Sequence, residues 1–237
     1  MNRPTPNAAV LWTGGKDSAL ALHEALLDGC RIRCLMTFAP PEPDFLAHPL
    51  PFMKLQAEAL ALPHFLWPVR EPFCESYEAG LRWLKETMGI DAVVTGDIAE
   101  VAGNPNWIRE RSRPVGMNAM TPLWGRDRIE LLQRLLAMRF KVVFSCVKTR
   151  WLSAQWIGRE LDDAAIIGLG SLRKQNGLDL CGEEGEYHTL VTDAPQFNRR
   201  LRLDKFRVRE REDLAYMEIE RAELADRQGG ESCAHQE

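Results

Sequence analysis

The sequence predicts an α/β protein with a doubly wound, mainly parallel sheet and a smaller α+β lobe at its C-terminal end. Five short, nearly continuous apolar runs alternate with segments of helical periodicity before about residue 150. Such runs are typical of strands covered on both faces, as in a parallel sheet. Later strands instead alternate charged and apolar residues, which predicts a hairpin with one solvated face. We therefore predict a first domain over residues 1–150, a lobe over 151–225 and a disordered tail over 226–237.

The individual elements follow from these patterns. Short connections between strands and helices favour right-handed crossovers. The strands of the parallel sheet are predicted over residues 8–13, 31–38, 64–69, 91–96 and 141–147. Helices are predicted over residues 17–28, 52–61, 75–88, 127–139, which Asp127 caps, and 151–175. The hairpin strands are predicted over residues 200–210 and 214–224.

Composition and charge exclude several classes of protein. The chain of 237 residues has a net charge of −4, so no overall basic field attracts nucleic acid. Its six cysteines include no CxxC pair, which disfavours a zinc site, and reduced thiols fit the cytoplasm. No apolar stretch approaches the roughly 18 residues that cross a bilayer. We expect a cytoplasmic protein without membrane or nucleic-acid partners, for which a homodimer is one allowed assembly.

The segment "TGGKDS" lies between the first predicted strand and the helix after it. Its two glycines let backbone amides approach an anion without a Cβ clash. The free N–H groups of the following helix point at the same place. Lys16 adds a mobile positive charge, and Thr13 and Ser18 add hydroxyl donors. These groups suit a phosphate or a pyrophosphate, and the alternative is a Gly-Gly turn with a solvated lysine.

This loop is not a Walker A motif. That motif needs a glycine where the chain has Val10 and a Ser or Thr where it has Asp17. A carboxylate in an anion site repels phosphate unless it caps the helix or recruits Mg²⁺. Asp17 is therefore either a helix cap or a Mg²⁺ ligand, and we predict that it binds Mg²⁺.

Three further segments carry candidate functional residues. "VVTGDI" ends a strand with Gly96 and Asp97, at the carboxyl edge where open α/β sheets bind ligands. "TPLWGRD" places Trp124 directly before a helix. "CGEEGEYHTLVTDAP" (residues 181–195) concentrates acidic residues around His188, with glycines between them.

Together these segments resemble a known family. "TGGKDS" is similar to SGGxDS, the pyrophosphate loop (PP-loop) of the N-type ATP pyrophosphatases, and its Thr keeps the hydroxyl. With the GD, PLW and GExGEYHT-like segments, residues 8–197 resemble the diphthine–ammonia ligase, or diphthamide synthetase, family. Archaeal and eukaryotic members commonly have Glu where this chain has His188, a residue found in bacterial-type relatives. The resemblance implies an adenine nucleotide alpha hydrolase-like, Rossmann-like domain.

The resemblance also implies ATP as cofactor and a role for each matching position. Family members cleave ATP between the α and β phosphates and attach AMP to a substrate oxygen. Gly96 and Asp97 would lie near the nucleotide or the reacting carboxylate. The residues implied to hold the phosphates are Thr13, Gly14, Gly15, Lys16, Asp17 and Ser18. Those implied to build the acceptor or ammonia side are Glu183, Gly185, Glu186, His188 and Thr189.

The chemistry explains why such residues are needed. A carboxylate, on a small molecule or a protein, becomes an acyl donor once adenylated, and ammonia or an amine can then displace AMP. Lys16, loop amides and Mg²⁺ would neutralise phosphate charge. Accepting a proton from the incoming ammonium is a general-base task suited to Glu186 or His188. The predicted catalytic residues are Lys16, Asp97, Glu186 and His188.

Each assignment has an alternative. Gly96 and Asp97 also fit an ordinary turn at a strand end, Trp124 fits packing between lobes as well as substrate stacking, and His188 fits a structural histidine. Arginines of "WIRERSRPVG" could clamp a phosphate, although a solvated helix face is the simpler interpretation. For the whole protein, the alternatives are a tRNA-modifying PP-loop enzyme and a nucleotide-binding sensor without catalysis.

Overall fold

The computed structural model describes residues 5–100 and 106–227, and it contains the predicted parallel sheet. Five parallel strands lie in the order β3-β2-β1-β4-β5. The strands are β1 (Asn7–Leu11), β2 (Arg31–Ala39), β3 (His64–Pro68), β4 (Ala92–Val94) and β5 (Asn118–Met120). The order changes direction at β1, so the carboxyl ends of β1 and β4 border the crevice where such sheets bind ligands.

Helices cover both faces of this sheet, which confirms the doubly wound fold. Alternate residues of β1 point to opposite sides, so that Ala8 and Val10 join one core and Ala9 joins the other. The first core includes Leu20 of α1, and the second includes Leu81 of α3. These helices are α1 (Lys16–Leu27), α2 (Leu50–Leu60), α3 (Phe73–Met88) and α4 (Trp107–Val115).

A second, antiparallel sheet forms the C-terminal part in the order β7-β6-β9-β8. Its strands are β6 (Lys141–Lys148), β7 (Tyr187–Asp193), β8 (Arg200–Arg211) and β9 (Leu214–Ala225). The hairpin of β8 and β9 confirms the prediction. The assignment of residues 141–147 to the parallel sheet is wrong, because β6 pairs antiparallel with β7 and β9. Its apolar run indicates a strand that is buried in the middle of a sheet. Such strands occur in parallel and in antiparallel sheets, so the run does not distinguish between them.

The predicted helix over residues 151–175 is also partly wrong. The α-helix α6 is confined to Asp163–Asn176, and Asp162 caps it by accepting the Ala165 amide at 2.7 Å. Before it, Gly158 adopts a positive φ and Glu160 bridges to Val143 as extended chain. Helix α5 (Arg128–Ala137) begins after Asp127, whose carboxylate accepts the amides of Ile129 and Glu130, as predicted.

Sheet membership changes between β5 and β6, ahead of the predicted boundary near residue 150, which stays a prediction. Of the predicted tail, residues 228–237 lie outside the described residues, as do 1–4 and 101–105. Within the described ranges, no helix has the length and apolar character needed to cross a bilayer.

Candidate active site

A cavity of about 440 Å³ opens at the carboxyl edge of the parallel sheet, between the loop that precedes α1 and the segment that leads into β7. Both halves of the predicted site contribute to its wall. Ten predicted residues line it: Thr13, Gly15, Lys16, Asp17, Ser18, Gly96, Asp97, Glu183, His188 and Thr189. The other lining residues are Leu11, His48, Thr95, Cys181, Gly182 and Tyr187.

The loop of residues 13–15 turns the chain from β1 into α1 and leaves amides free. Gly14 has a φ of +80°, and its carbonyl accepts hydrogen bonds from the Val191 amide at 3.1 Å and Gln56 Nε2 at 2.9 Å. Gly15 caps α1 without a side chain. The amides of Asp17 and Ser18 have no acceptor in the described part of the chain, which leaves a helix N-terminus suited to an anion.

Lys16 is fixed rather than mobile, contrary to the expectation from the sequence. Its side chain is 3% exposed, and Nζ donates to the Cys181 carbonyl at 2.5 Å and to Asp17 Oδ2 at 2.7 Å. Burial disfavours the charged form, but the Asp17 carboxylate together with the Tyr187 and Cys181 side chains more than offsets this and holds the pKa of Lys16 above its ordinary value. A fixed ammonium therefore lies at the cavity wall.

Asp17 has the geometry of a partial cation ligand. One carboxylate oxygen, Oδ2, is occupied by Lys16, and the side chain is 31% exposed to the cavity. Burial raises its pKa against the opposing effect of Lys16. Within residues 5–100 and 106–227, no cluster of three metal-ligating side chains occurs. Mg²⁺ commonly uses one or two carboxylates together with substrate phosphates. Asp17 thus fits an ion that arrives with a nucleotide.

Gly96 allows the end of β4 to pass directly under the start of α1. A Cβ at this position would lie 2.6 Å from the Asp17 carbonyl carbon and 2.7 Å from the Ser18 amide nitrogen. Both neighbours are backbone atoms, so any side chain would push the loop away. The next residue, Asp97, lines the cavity and accepts a hydrogen bond from Asn106 Nδ2 at 2.5 Å.

The segment before β7 is organised by Asp179. Asp179 Oδ1 accepts the amides of Cys181 and Glu183, at 2.8 and 3.3 Å, and its Oδ2 accepts Arg128 Nε at 3.1 Å. The amide of Asp179 in turn donates to Glu186 Oε1 at 2.9 Å. This network fixes the turn whose Cys181 carbonyl holds Lys16.

Glu186 does not line the cavity. The residue is 2% exposed, and its Oε2 has no hydrogen-bond partner in the described ranges. The geometry favours a supporting position under the turn over contact with a substrate. Glu183 does line the cavity, where its Oε1 accepts the Ile98 amide at 3.2 Å. Burial raises the pKa of Glu183 above its ordinary range.

Strand β7 joins the second half of the site to the loop. The Thr189 hydroxyl accepts a hydrogen bond from the Lys16 amide at 3.1 Å. The next-but-one residue, Val191, donates its amide to the Gly14 carbonyl at 3.1 Å. These two bonds attach β7 to the start of α1 and set the position of His188, which directly precedes Thr189.

His188 faces a second histidine that the sequence analysis did not select. The ring centroids of His48 and His188 are 5.3 Å apart in an edge-to-face arrangement. Burial, His188 and Lys16 lower the pKa of His48 to about 3, and burial, Lys16 and Lys148 lower the pKa of His188 to about 4. Both imidazoles are therefore uncharged at neutral pH. His48 lies on the connection from β2 to α2, at the carboxyl edge of the sheet. This position after a predicted strand is the feature of the sequence that could have identified His48 as a site residue.

Four predicted residues lie away from the cavity wall: Gly14, Trp124, Gly185 and Glu186. Gly14 does not line the cavity, but its φ of +80° allows the turn that brings the chain from β1 into α1. Trp124 packs with the Arg109 guanidinium, 5.5 Å from the ring centroid, which favours a packing role. Gly185 has a φ of +78°, and a Cβ there would lie 3.2 Å from Lys148 Nζ. Arg109 belongs to α4, as the interpretation of its segment as a helix face expected.

Several known proteins are similar to this chain. Diphthine–ammonia ligase of Mus musculus is 26% identical over 222 residues, which cover 83% of this chain and 82% of that protein. The Homo sapiens protein of the same name is 24% identical over 225 residues, 84% of each chain. A solved structure, a predicted subunit of tRNA methyltransferase from Methanocaldococcus jannaschii, covers 58% of this chain and 77% of its own at 16% identity, with a TM-score of 0.41.

Family models match nearly the whole described chain. The model of the diphthamide synthase N-terminal domain matches residues 6–119, which contain the loop and Gly96. The model of the diphthamide synthase C-terminal domain matches residues 127–225, which contain the segment before β7 and the second sheet. The two matches follow one another in the order of the family, and the chain belongs to the diphthamide synthase family.

Proposed function

We propose that this protein is an ATP-dependent ligase that adenylates a carboxylate and then transfers ammonia or an amine to it. The observation that carries the proposal is the joint cavity, in which an anion-binding loop and the segment before β7 face each other across Lys16. The relatives named diphthine–ammonia ligase, matched over more than four-fifths of both chains, support a ligase. The acceptor we propose is a carboxylate of a small molecule or of a protein, with diphthine as the family's example.

The first step joins the acceptor to AMP. A carboxylate oxygen attacks the α-phosphorus of ATP, the bond to the β-phosphate oxygen breaks, and pyrophosphate leaves with the electron pair. The free amides of Asp17 and Ser18 and the ammonium of Lys16 are placed to stabilise the departing pyrophosphate. Asp17 would hold Mg²⁺ together with the phosphates, and that ion would supply further neutralising charge.

The second step replaces AMP with nitrogen. Ammonia attacks the carbonyl carbon of the acyl adenylate, and AMP departs with the electrons of the broken C–O bond. One proton must leave the nitrogen, and His188, which lines the cavity as an uncharged imidazole, is placed to accept it. Asp97 and Glu183, which also line the cavity, would orient the incoming ammonia. Glu186 supports the turn instead.

Isotope incorporation tests this reaction. The protein is incubated with ATP, ¹⁵N-ammonium and a dialysed or fractionated cell extract, and new ¹⁵N-containing amides are identified by mass spectrometry. The proposal expects an amide that forms only with ATP and that is absent with a Lys16→Met variant. Incorporation that proceeds equally without ATP, or with the variant, would exclude an adenylating ligase.

A further inference from the structure

Two imidazoles from different parts of the chain lie beside residues 13–18, which we call the phosphate loop. His48 comes from the connection between β2 and α2, and His188 comes from β7. Both line the cavity beside Lys16 and Ser18. The His48 ring lies directly against the loop, since a Cβ at Gly15 would be 3.1 Å from its Cε1 atom. The pair therefore borders the space that the loop amides face.

The His48 ring also has an unused hydrogen-bonding atom. Its Nδ1 is buried and has no hydrogen-bond partner among residues 5–100 and 106–227. A buried ring nitrogen without a partner is costly, and a rotation of the ring that brings Nδ1 to a ligand oxygen would remove that cost. The neighbouring His188 ring, whose centroid is 5.3 Å from that of His48, does not hydrogen-bond to Nδ1. His48 Nδ1 thus lacks a hydrogen-bond acceptor, and an oxygen atom of a ligand can provide one.

Burial and, after it, the charges around the pair lower both imidazole pKa values and keep the rings uncharged in the absence of an anion. Lys16 and Lys148 disfavour a further positive charge. The carboxylates that share the cavity are Asp17, which pairs with Lys16, and Glu183 and Asp97, which accept the Ile98 amide and the Asn106 side chain. Cys181 and Tyr187 add no negative charge near neutral pH, because burial raises the pKa of both groups, to about 12 for the thiol.

We propose that His48 and His188 complete the phosphate-binding site, and that they take up protons as the triphosphate enters and donate hydrogen bonds to its oxygens. This inference rests on the proposed function, because it takes ATP as the ligand. A polyphosphate anion a few ångströms away favours the charged imidazolium by the same electrostatics that Lys16 now opposes. The bound complex then holds more protons than the free protein, so that binding tightens as the pH falls.

The same coupling gives the pair a second use during the reaction. When pyrophosphate leaves, the negative charge that stabilised the imidazolium ions leaves with it. His188 then returns its proton to solvent and becomes the free base that the attack of ammonia requires. The departure of pyrophosphate thus removes the charge that favours the imidazolium and at the same time frees His188 to act as a base.

Proton uptake during nucleotide binding tests the proposal. Binding of α,β-methylene ATP with excess Mg²⁺, which keeps its γ-phosphate ionised, is measured by calorimetry in buffers of different ionisation enthalpy. We expect net proton uptake near pH 7 and an affinity that rises toward lower pH, by up to about tenfold per pH unit for each proton taken up. His48→Gln and His188→Gln should each reduce the uptake, and the double variant should abolish it.

A matched control uses His64→Gln, since His64 lies on β3, bonds to Thr37 Oγ1 at 2.8 Å and does not line the cavity. It should leave the uptake unchanged. Chemical shifts of the two imidazoles in the wild-type protein provide an independent measurement, and they should change to imidazolium values when the analogue binds. Tight binding without proton uptake, or with uptake that survives in the double variant, would overturn this inference alone. Absence of any nucleotide binding by the wild-type protein would overturn the proposed function as well.

Discussion

The backbone amide of Lys16 donates a hydrogen bond to the side-chain hydroxyl of Thr189 at 3.1 Å, across 173 positions of the chain. This bond ties the start of α1 to β7, and so ties the phosphate loop to the segment that carries His188. The phosphate loop and the segment that carries His188 each form only part of the cavity wall. The position of the loop amides is therefore set by the C-terminal part of the protein as much as by the loop's own glycines.

Thr189→Val should show the value of this bond. The substitution keeps the side-chain shape but leaves the buried Lys16 amide without an acceptor, which costs about 1–3 kcal/mol of folding free energy. Because the loop amides lose their alignment, we also expect ATP affinity to fall by about tenfold or more. Thermal unfolding and calorimetric binding measure the two effects. Thr189→Ser, which restores the hydroxyl, should recover both, and Thr192→Val, at a hydroxyl that bonds to Lys141 O at the surface, should change neither.

Gly96→Ala should displace the loop. Its methyl group would lie within 2.8 Å of backbone atoms of Asp17 and Ser18, and those atoms have no flexible end that can move aside. We expect a loss of about 1–3 kcal/mol in the free energy of unfolding, as for overpacking, and a loss of ATP binding. Gly170→Ala in α6 is the matched control, since open space surrounds that position, and it should stabilise the protein by about 0.4–1 kcal/mol. Equal effects of the two substitutions in denaturant titrations would contradict the close approach of β4 to α1.

Lys16→Met should remove the fixed positive charge while keeping the length of the side chain. For a group that stabilises developing charge, we expect turnover of ATP to fall by about 10²–10³-fold. The variant also leaves Asp17 without its partner, so its unfolding temperature must be measured beside its activity. Lys174→Met, at an exposed position in the last turn of α6, is the control that should behave as wild type. Turnover that survives in Lys16→Met would remove Lys16 from the mechanism.

Acid should destabilise the protein through the two cavity histidines. The folded-state pKa values of about 3 for His48 and about 4 for His188 lie below the ordinary value of 6.5. As the pH falls below about 6.5, the unfolded chain binds protons that the folded protein does not, so stability declines toward the folded-state values. We expect the unfolding temperature of the wild type to fall more between pH 7.5 and pH 5 than that of the His48→Gln/His188→Gln protein, because glutamine does not titrate. Parallel pH dependences of the two proteins would contradict the burial of these imidazoles.

The sequence was sufficient for the elements whose signals are local. The apolar strands β1 to β4, the glycine loop and the Asp127 cap were all predicted, because each depends on neighbouring residues. Strand β5 was missed because its residues, Asn-Ala-Met, do not form an apolar run, whereas the equally short β4 consists of Ala-Val-Val. Strand β6 was placed in the wrong sheet because its partners, β7 and β9, are selected by distant contacts.

The same distinction applies to the site. Residues 13–18 and 181–189 were selected from their residue types and from the family resemblance, but their roles depend on three-dimensional contacts. Lys16 was expected to be mobile and is held by Cys181, and Glu186 was expected to be a base and lies behind the turn. His48 was missed because it belongs to no motif, and only the fold brings it within 5.3 Å of His188.

The products of ATP cleavage test the central claim most directly. That claim is that the loop and β7 together hold the β and γ phosphates as a leaving group. The protein is incubated with α-³²P-labelled and γ-³²P-labelled ATP, ammonium and the extract fraction that supports turnover, and the labelled products are separated by chromatography. The account predicts AMP and pyrophosphate in equal amounts, both lost in Lys16→Met. ADP and orthophosphate as the products would contradict it.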